Sequence, residues 1–193
     1  LAGRMEVVPL FPLAQAELEG TRPGFLEAAF AGRFRAGGTA VTRGDSLTAR
    51  VLGGGYPEAL NRPAPERRRR WHREYVQAIL ERDVADIAPL HRLSDLPRLV
   101  ERLALANGQL VNFAALGADL AMDRKTAQRY VDVLASMYLV ELLPPWHTNA
   151  LSRLTKSPKL HFTDAGLAAT LAGLTLERSH RERTALGAVF ETF

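Results

Sequence analysis

The stretch FAALGADLAMDRKTAQRYVDVLASMYLVELLPP, Phe113 to Pro145, constrains this chain more than any other, because its hydrophobic period changes from helical to strand-like within one short span. Asn112 and Asp123 each precede an apolar-periodic run, and such residues accept hydrogen bonds from the free amides of a first helical turn. The pattern predicts helices from Phe113 to Leu120 and from Arg124 to about Met137, with AMD as the turn between them. In the second helix Ala127, Val131, Leu134 and Tyr138 fall on one face, and Arg124, Lys125, Gln128, Arg129 and Asp132 fall opposite. YLVELL and KLHFTD then read as strands on either side of a polar, proline-containing loop. Two helices about a tight turn, followed by a β-ribbon, are the parts of a winged helix-turn-helix.

Upstream, Pro65 suits a first helical position, and ERRRRWHREYVQAILERDVADI carries Trp71, Tyr75 and Ile79 on one stripe and Val76, Leu80, Val84 and Ile87 on an adjoining one. Ser94 is placed to cap a second helix over Asp95–Asn107, which Gly108 closes. EVVPLF, Glu6–Phe11, reads as a short edge strand interrupted by Pro9. LAQAELEG and PGFLEAAFAG read as short helices ended by glycine. Asp45 or Ser46 is placed to cap a helix through Leu52, stopped by the glycines at 53–55. Downstream, a short helix is expected over Ala165–Ala172, and another from about Thr184. The expected fold class is mainly α with a small β component: a helical lid-like bundle followed by a winged helix-turn-helix, with fragmentary ends.

Several chemistries lack their residues. There is no cysteine, so disulfides and thiolate sites are excluded. No Gly-x-x-x-x-Gly-Lys-Ser/Thr run is present, and VLGGGYPEAL lacks the lysine and hydroxyl a phosphate loop needs. No Gly-x-Ser-x-Gly elbow occurs, and His72, His91, His147, His161 and His180 show no metal-ligand spacing, so each is expected at the surface or locally bonded. No apolar run approaches the length of a membrane span, and the expected location is cytoplasmic. The net charge of +4 is spread along the chain, with six basic and four acidic side chains between residues 109 and 163. Arg67–Arg70 with Arg73 point in several directions around one helix, which favours a solvated face with ion pairs over a phosphate track.

Taken in order, LAGRMEVVPLFPLAQAE, GGYPEAL, RRRRWHREYVQAILERDVADI, the Phe113–Pro145 stretch, KSPKLHFTDAGLAATLAG and LGAVFETF resemble the C-terminal two-thirds of the prokaryotic predicted AAA-type ATPases, whose tail carries a domain of unknown function. The resemblance implies that Walker motifs lie before residue 1. It implies that residues 1–108 hold the end of the core and a helical lid-like bundle, and that 109–163 form the winged helix-turn-helix. Residues 164–193 would then be a linker helix and the first helix of a truncated restriction-endonuclease-like domain, where Glu191 matches a metal-holding acid without its partners. The chain is thus expected to be a fragment, inactive alone, whose longer parent binds ATP and Mg2+, with no cofactor in the fragment itself.

The function expected is coupling of a nucleotide-driven core to a binding module; the alternatives are a stand-alone DNA-binding regulator and a subunit of a nuclease-like protein. Arg82, an arginine between two acids on a lid helix, is the candidate for sensing nucleotide phosphate. Arg124, Lys125, Gln128 and Arg129 are the candidates for the major groove of duplex DNA, and Lys156 and Lys159 for phosphates beside it. The expected partners are the parent's own ATPase core and either double-stranded DNA or a protein, with no membrane; ring- or dimer-forming relatives add a homo-oligomer.

Overall fold

The computed structural model describes residues 6, 8–33, 42–87, 93–146 and 156–193, with the side chains of 83–87 and 93 outside that description. The chain is mainly helical with a small β component, as its periodicity predicts. In order, the elements are α1 (Gln15–Leu18), α2 (Phe25–Phe30), α3 (Gly44–Gly53), α4 (Pro57–Leu60) and α5 (Pro65–Ile87). After a 3-10 turn at Leu93–Asp95 come α6 (Leu96–Leu105), α7 (Phe113–Asp119), α8 (Arg124–Ser136), β1 (Val140–Leu143), β2 (Lys159–Phe162), α9 (Ala165–Leu171), α10 (Leu176–Arg181) and α11 (Arg183–Phe190).

The hub is α9, expected as part of a linker. Its sequence AGLAATL is nearly all small, and six of its residues are buried. Small side chains let helix axes approach closely while the interior stays at crystal-like density, and α9 packs against α3, α5, α6 and α11. Around it α5 contributes Val76 and Leu80, and α6 contributes Leu96, Leu99, Val100 and Leu103. On α5, Trp71 and Tyr75 are only half-buried: they stack in parallel at 5.1 Å and meet Tyr56 at 5.4 and 5.0 Å, which fixes α4 against α5. The stripe members Val84 and Ile87 lie outside the described side chains.

β1 and β2 pair antiparallel, with Val140 opposite Phe162 and Leu143 opposite Lys159. The ladder has a third member that periodicity did not predict. Gly108 N donates to Leu160 O (2.8 Å), Leu160 N to Gln109 O (2.9 Å) and Val111 N to Pro158 O (2.9 Å), so β2 is paired on both edges.

Three expectations need correction, and one helix was not expected. Residues 8–11 form no strand: Pro9 and Pro12 lack the amides a ladder requires, and the segment is instead tied by Leu13 N to Gly55 O at 2.9 Å. Helix α3 starts at Gly44, so Asp45 and Ser46 lie inside its first turn rather than capping it. Ser94 sits within the 3-10 turn, and the helix it was expected to cap starts at Leu96. An unexpected helix, α10, is capped by Thr175 Oγ1, which accepts from Arg178 N at 3.2 Å.

Asn107 fastens three elements together. It is fully buried; its amide nitrogen donates to Ala188 O (2.8 Å) and Thr192 Oγ1 (3.0 Å), and its oxygen accepts from Phe162 N (2.8 Å). Asn107→Ala leaves the Phe162 amide and the Ala188 carbonyl unpaired in the interior. A loss of about 2–3 kcal/mol is expected, checked by urea denaturation, whereas a loss within about 0.5 kcal/mol would show that water replaces the side chain.

Candidate nucleic-acid interface

The second helix of the Phe113–Pro145 stretch is built from its caps outward. Asn112 Oδ1 accepts from Ala115 N at 3.0 Å to start α7. A tight turn follows, crossing so close to α7 that a Cβ on Gly117 would stand 2.6 Å from the Met122 carbonyl. Asp123 then starts α8: Oδ1 accepts from Lys125 N (2.8 Å) and Thr126 N (3.0 Å), and Oδ2 from Thr126 Oγ1 (2.6 Å). The Thr126 hydrogen bonds hold this carboxyl below its ordinary range. The amides of Lys125 and Thr126 in the first turn of α8 are therefore occupied by this cap.

The side chains of α8 divide as the spacing predicts. Ala127, Val131 and Leu134 are wholly buried, joined by Tyr130 and Val133. Arg124, Lys125, Gln128 and Arg129 are exposed, and among the described residues none of the four makes a hydrogen bond or ion pair. Asp132 shares this exposed side, its carboxyl pushed up by partial burial. Tyr138 does not join the inner face. The helix ends at Ser136, and Tyr138 turns into the left-handed region at φ 57° with its ring half exposed, edge-on to Phe11 at 5.9 Å.

Of the two ribbon lysines, Lys156 is exposed, whereas Lys159 is ion-paired with Glu191, the residue that ends α11, whose carboxyl is held low by that partner. Lys159 thus anchors α11 to β2 instead of standing free for a phosphate. Arg82 lies exposed near the end of α5. The arginine run disperses into local pairs, Arg69 with Glu66 and Arg70 with Glu74, while Arg68 donates to the carbonyls of Arg62 (2.7 Å) and Pro63 (3.2 Å).

A second constellation, built on Asp164 and His72, is buried. Asp164 caps α9 by accepting from Leu167 N at 2.6 Å, and its other oxygen accepts from Gly55 N at 2.6 Å. Gly54, at φ 68°, lies so near that a Cβ there would stand 2.3 Å from Asp164 Oδ1, and a Cβ on Gly166 would meet Gly54 N at 2.6 Å. The Gly53–Gly55 turn therefore closes on a carboxylate, an arrangement that repels phosphate. His72, expected at the surface or locally bonded, is instead fully buried: Nδ1 meets Thr170 Oγ1 at 2.9 Å, and Nε2, without a hydrogen-bond partner among the described residues, lies 4.0 Å from Asp164 Oδ1. Burial and the nearby Arg68 guanidinium push His72 down to about 4. Burial pushes Asp164 up, against the backbone amides of Gly55, Leu167 and Gly166.

A family model described as a domain of unknown function (DUF8612) matches residues 44–178. The chain belongs to that family. The DUF8612 stretch contains the glycine turn, the face of α8, the β-ribbon and the His72–Asp164 pair. The chain is also similar to two uncharacterized proteins, Mb2031c of Mycobacterium bovis and Rv2008c of Mycobacterium tuberculosis, at 32% identity over 151 residues in each case. The match covers 78% of this chain and 34% of each relative, so the chain spans about a third of the length of the curated relatives it matches. No solved structure matches it. Among the described residues no helix is long and apolar enough to cross a membrane.

Proposed function

We propose that α7, α8 and the β-ribbon form a winged helix-turn-helix that binds duplex DNA through the outer face of α8, as the binding module of a longer AAA-type protein. The observation that carries this reading is the division of α8: Ala127, Val131 and Leu134 are fully buried, while Arg124, Lys125, Gln128 and Arg129 stand exposed with no partner among the described residues. Arginine presents a planar fork matched to phosphate and to the guanine edge, and glutamine pairs with the adenine edge. Asp132 on the same side disfavours a phosphate at the C-terminal half of the face, which directs contact to the first two turns.

ATP and Mg2+ belong, in this reading, to the longer polypeptide. The glycine turn here is filled by Asp164, so no step of nucleotide chemistry is assigned to this chain. Its task is to present a DNA-binding surface whose position the core's nucleotide state sets.

The test is fluorescence anisotropy with a labelled mixed-sequence duplex at low salt. The Arg124→Ala/Arg129→Ala double variant is expected to bind at least about 30-fold more weakly, each arginine carrying about 1 kcal/mol or more. Arg67→Ala, an exposed arginine on α5, is expected to bind as wild type. Equal losses in the double variant and in Arg67→Ala would reduce the effect to bulk charge and remove the reading.

A further inference from the structure

The segment ahead of α3 carries large apolar side chains that neither the core nor the α8 face accounts for. Leu10 is 95% exposed, Phe30 91%, Val8 76% and Leu26 66%, and Phe11 and Phe25 are exposed by half or more. An exposed leucine standing singly needs no explanation, but six such side chains between Val8 and Phe30 do. Helix α2 shows how the face is turned. It runs FLEAAF, no residue of it is buried, and its most shielded residue is Ala28. Leu26 and Phe30 each stand two positions from Ala28, and two steps along a helix carry a side chain to the opposite side. The helix therefore sets a small side chain towards the body and large ones outward.

Such a helix does not hold itself together. Its six residues fall far below the length at which an isolated helix is stable in water, and helices in proteins are held chiefly by packing of an apolar face. Helix α2 packs extensively against no other element among the described residues. The segment is fastened to the body ahead of α2, by Leu13 N to Gly55 O at 2.9 Å, by the ring contact of Phe11 with Tyr138 and by the Glu19–Arg50 ion pair. The outward face of α2 thus calls for a surface outside the described chain.

Charge selects the class of partner. Across residues 8–33, Glu17, Glu19 and Glu27 outnumber Arg22 and Arg33, which disfavours both a phosphate backbone and an anionic lipid surface and leaves a near-neutral face suited to protein. Area selects the occupant. With about 150–250 Å2 for a large aromatic side chain, the six exposed residues offer on the order of 800 Å2, close to the roughly 800 Å2 that each partner brings to a stable interface. A twofold contact needs only one patch matched to itself, and near-neutrality leaves no repulsion between two copies of it. We infer that residues 8–30 form an isologous interface between two copies of this chain, with α2 against its twin at the centre. Leu26 and Phe30 of each copy fill the space between the paired helices, and Val8 and Leu10 extend the contact. The inference is independent of the duplex reading, because none of the α8 cations belongs to this segment.

Sedimentation equilibrium of the full chain between about 1 and 100 µM tests it. A monomer–dimer equilibrium with a dissociation constant of about 10 µM or tighter is expected, and Leu26→Asp/Phe30→Asp is expected to raise that constant at least about 100-fold. Neither side chain is buried in the single chain, so the circular dichroism spectrum of the variant is expected to match that of wild type. Leu110→Asp, at an exposed leucine outside the segment, is expected to dimerise as wild type. The chain has no cysteine, so Ala29→Cys supplies a single thiol on α2, expected to couple two copies through a short bis-maleimide linker; this readout serves if the aspartate variant folds poorly. A wild-type chain that stays monomeric at about 100 µM overturns the inference and leaves the face to another part of a longer polypeptide or to a different protein. A dimer that survives the double variant, or that Ala29→Cys fails to couple, overturns it in favour of another surface.

Discussion

Asp164→Ala is expected to cost about 4 kcal/mol of folding stability. The carboxylate is the acceptor for two buried amides, Gly55 N and Leu167 N, that belong to segments far apart in sequence. Alanine leaves both donors unpaired in the interior, each at about 1–3 kcal/mol, and removes the side chain that fills the space over Gly54. Against a typical margin of about 5–15 kcal/mol, such a loss is a large fraction of the whole. Asp164→Asn is expected to recover part of it, because its amide oxygen satisfies one donor while its NH2 group faces the other. Urea denaturation monitored by circular dichroism measures both variants. A loss below about 1 kcal/mol for the alanine variant would mean that the glycine turn and α9 hold together without the carboxylate.

Acidification is expected to weaken the fold through His72. Its folded value, pushed down to about 4 by burial and by Arg68, lies below the ordinary value of about 6.5. The unfolded chain therefore takes up the proton first. Stability from this group is fully present above about pH 6.5 and is lost as pH falls towards 4. The loss amounts to roughly 2–3 kcal/mol between pH 7.5 and 4.5. Asp164, pushed up by burial, contributes with the opposite sign, since its folded form takes up a proton before the unfolded one does. The wild-type curve is the balance of the two, and the His72→Gln variant separates them. Its stability is expected to fall less steeply than wild type on acidification, by up to that amount. Parallel curves for the two proteins would show that His72 titrates alike in the folded and unfolded chain.

Much of the fold was legible because it is written in local period and local caps. Asn112 and Asp123 sit where an Asn or Asp starts a helix, and both accept the amides expected of them. The α8 face was legible for the same reason: Ala127, Val131 and Leu134 recur at helical spacing, so one burial implies the others. The period misled at Tyr138, two residues past the end of α8, where helical spacing no longer applies. Lys159 read as a wing cation because its partner, Glu191, is 32 residues away and on another element.

The buried pair was partly signalled and not read. His72 falls four residues before Val76 and eight before Leu80, on the apolar stripe itself, and a histidine in that position belongs to the core face. Asp164 precedes a helix of small residues and reads as a cap. Its second role, accepting from Gly55, joins positions 109 residues apart, and no local rule carries that distance. The third edge of the sheet was hidden for a similar reason. Gln109–Val111 follows a helix-ending glycine and is too short to show a strand period, and it becomes a ladder member only because Pro158–Leu160 lies alongside.

The claim on which the account turns is that α8 and the ribbon present free cations to a DNA backbone. The salt dependence of duplex affinity tests it most directly. Four cations, Arg124, Lys125, Arg129 and Lys156, predict that log K falls against log salt concentration with a slope of about −3 to −4, or roughly 100-fold in affinity between 50 and 200 mM. A duplex affinity that does not change over that range, or no binding at 50 mM, contradicts the account.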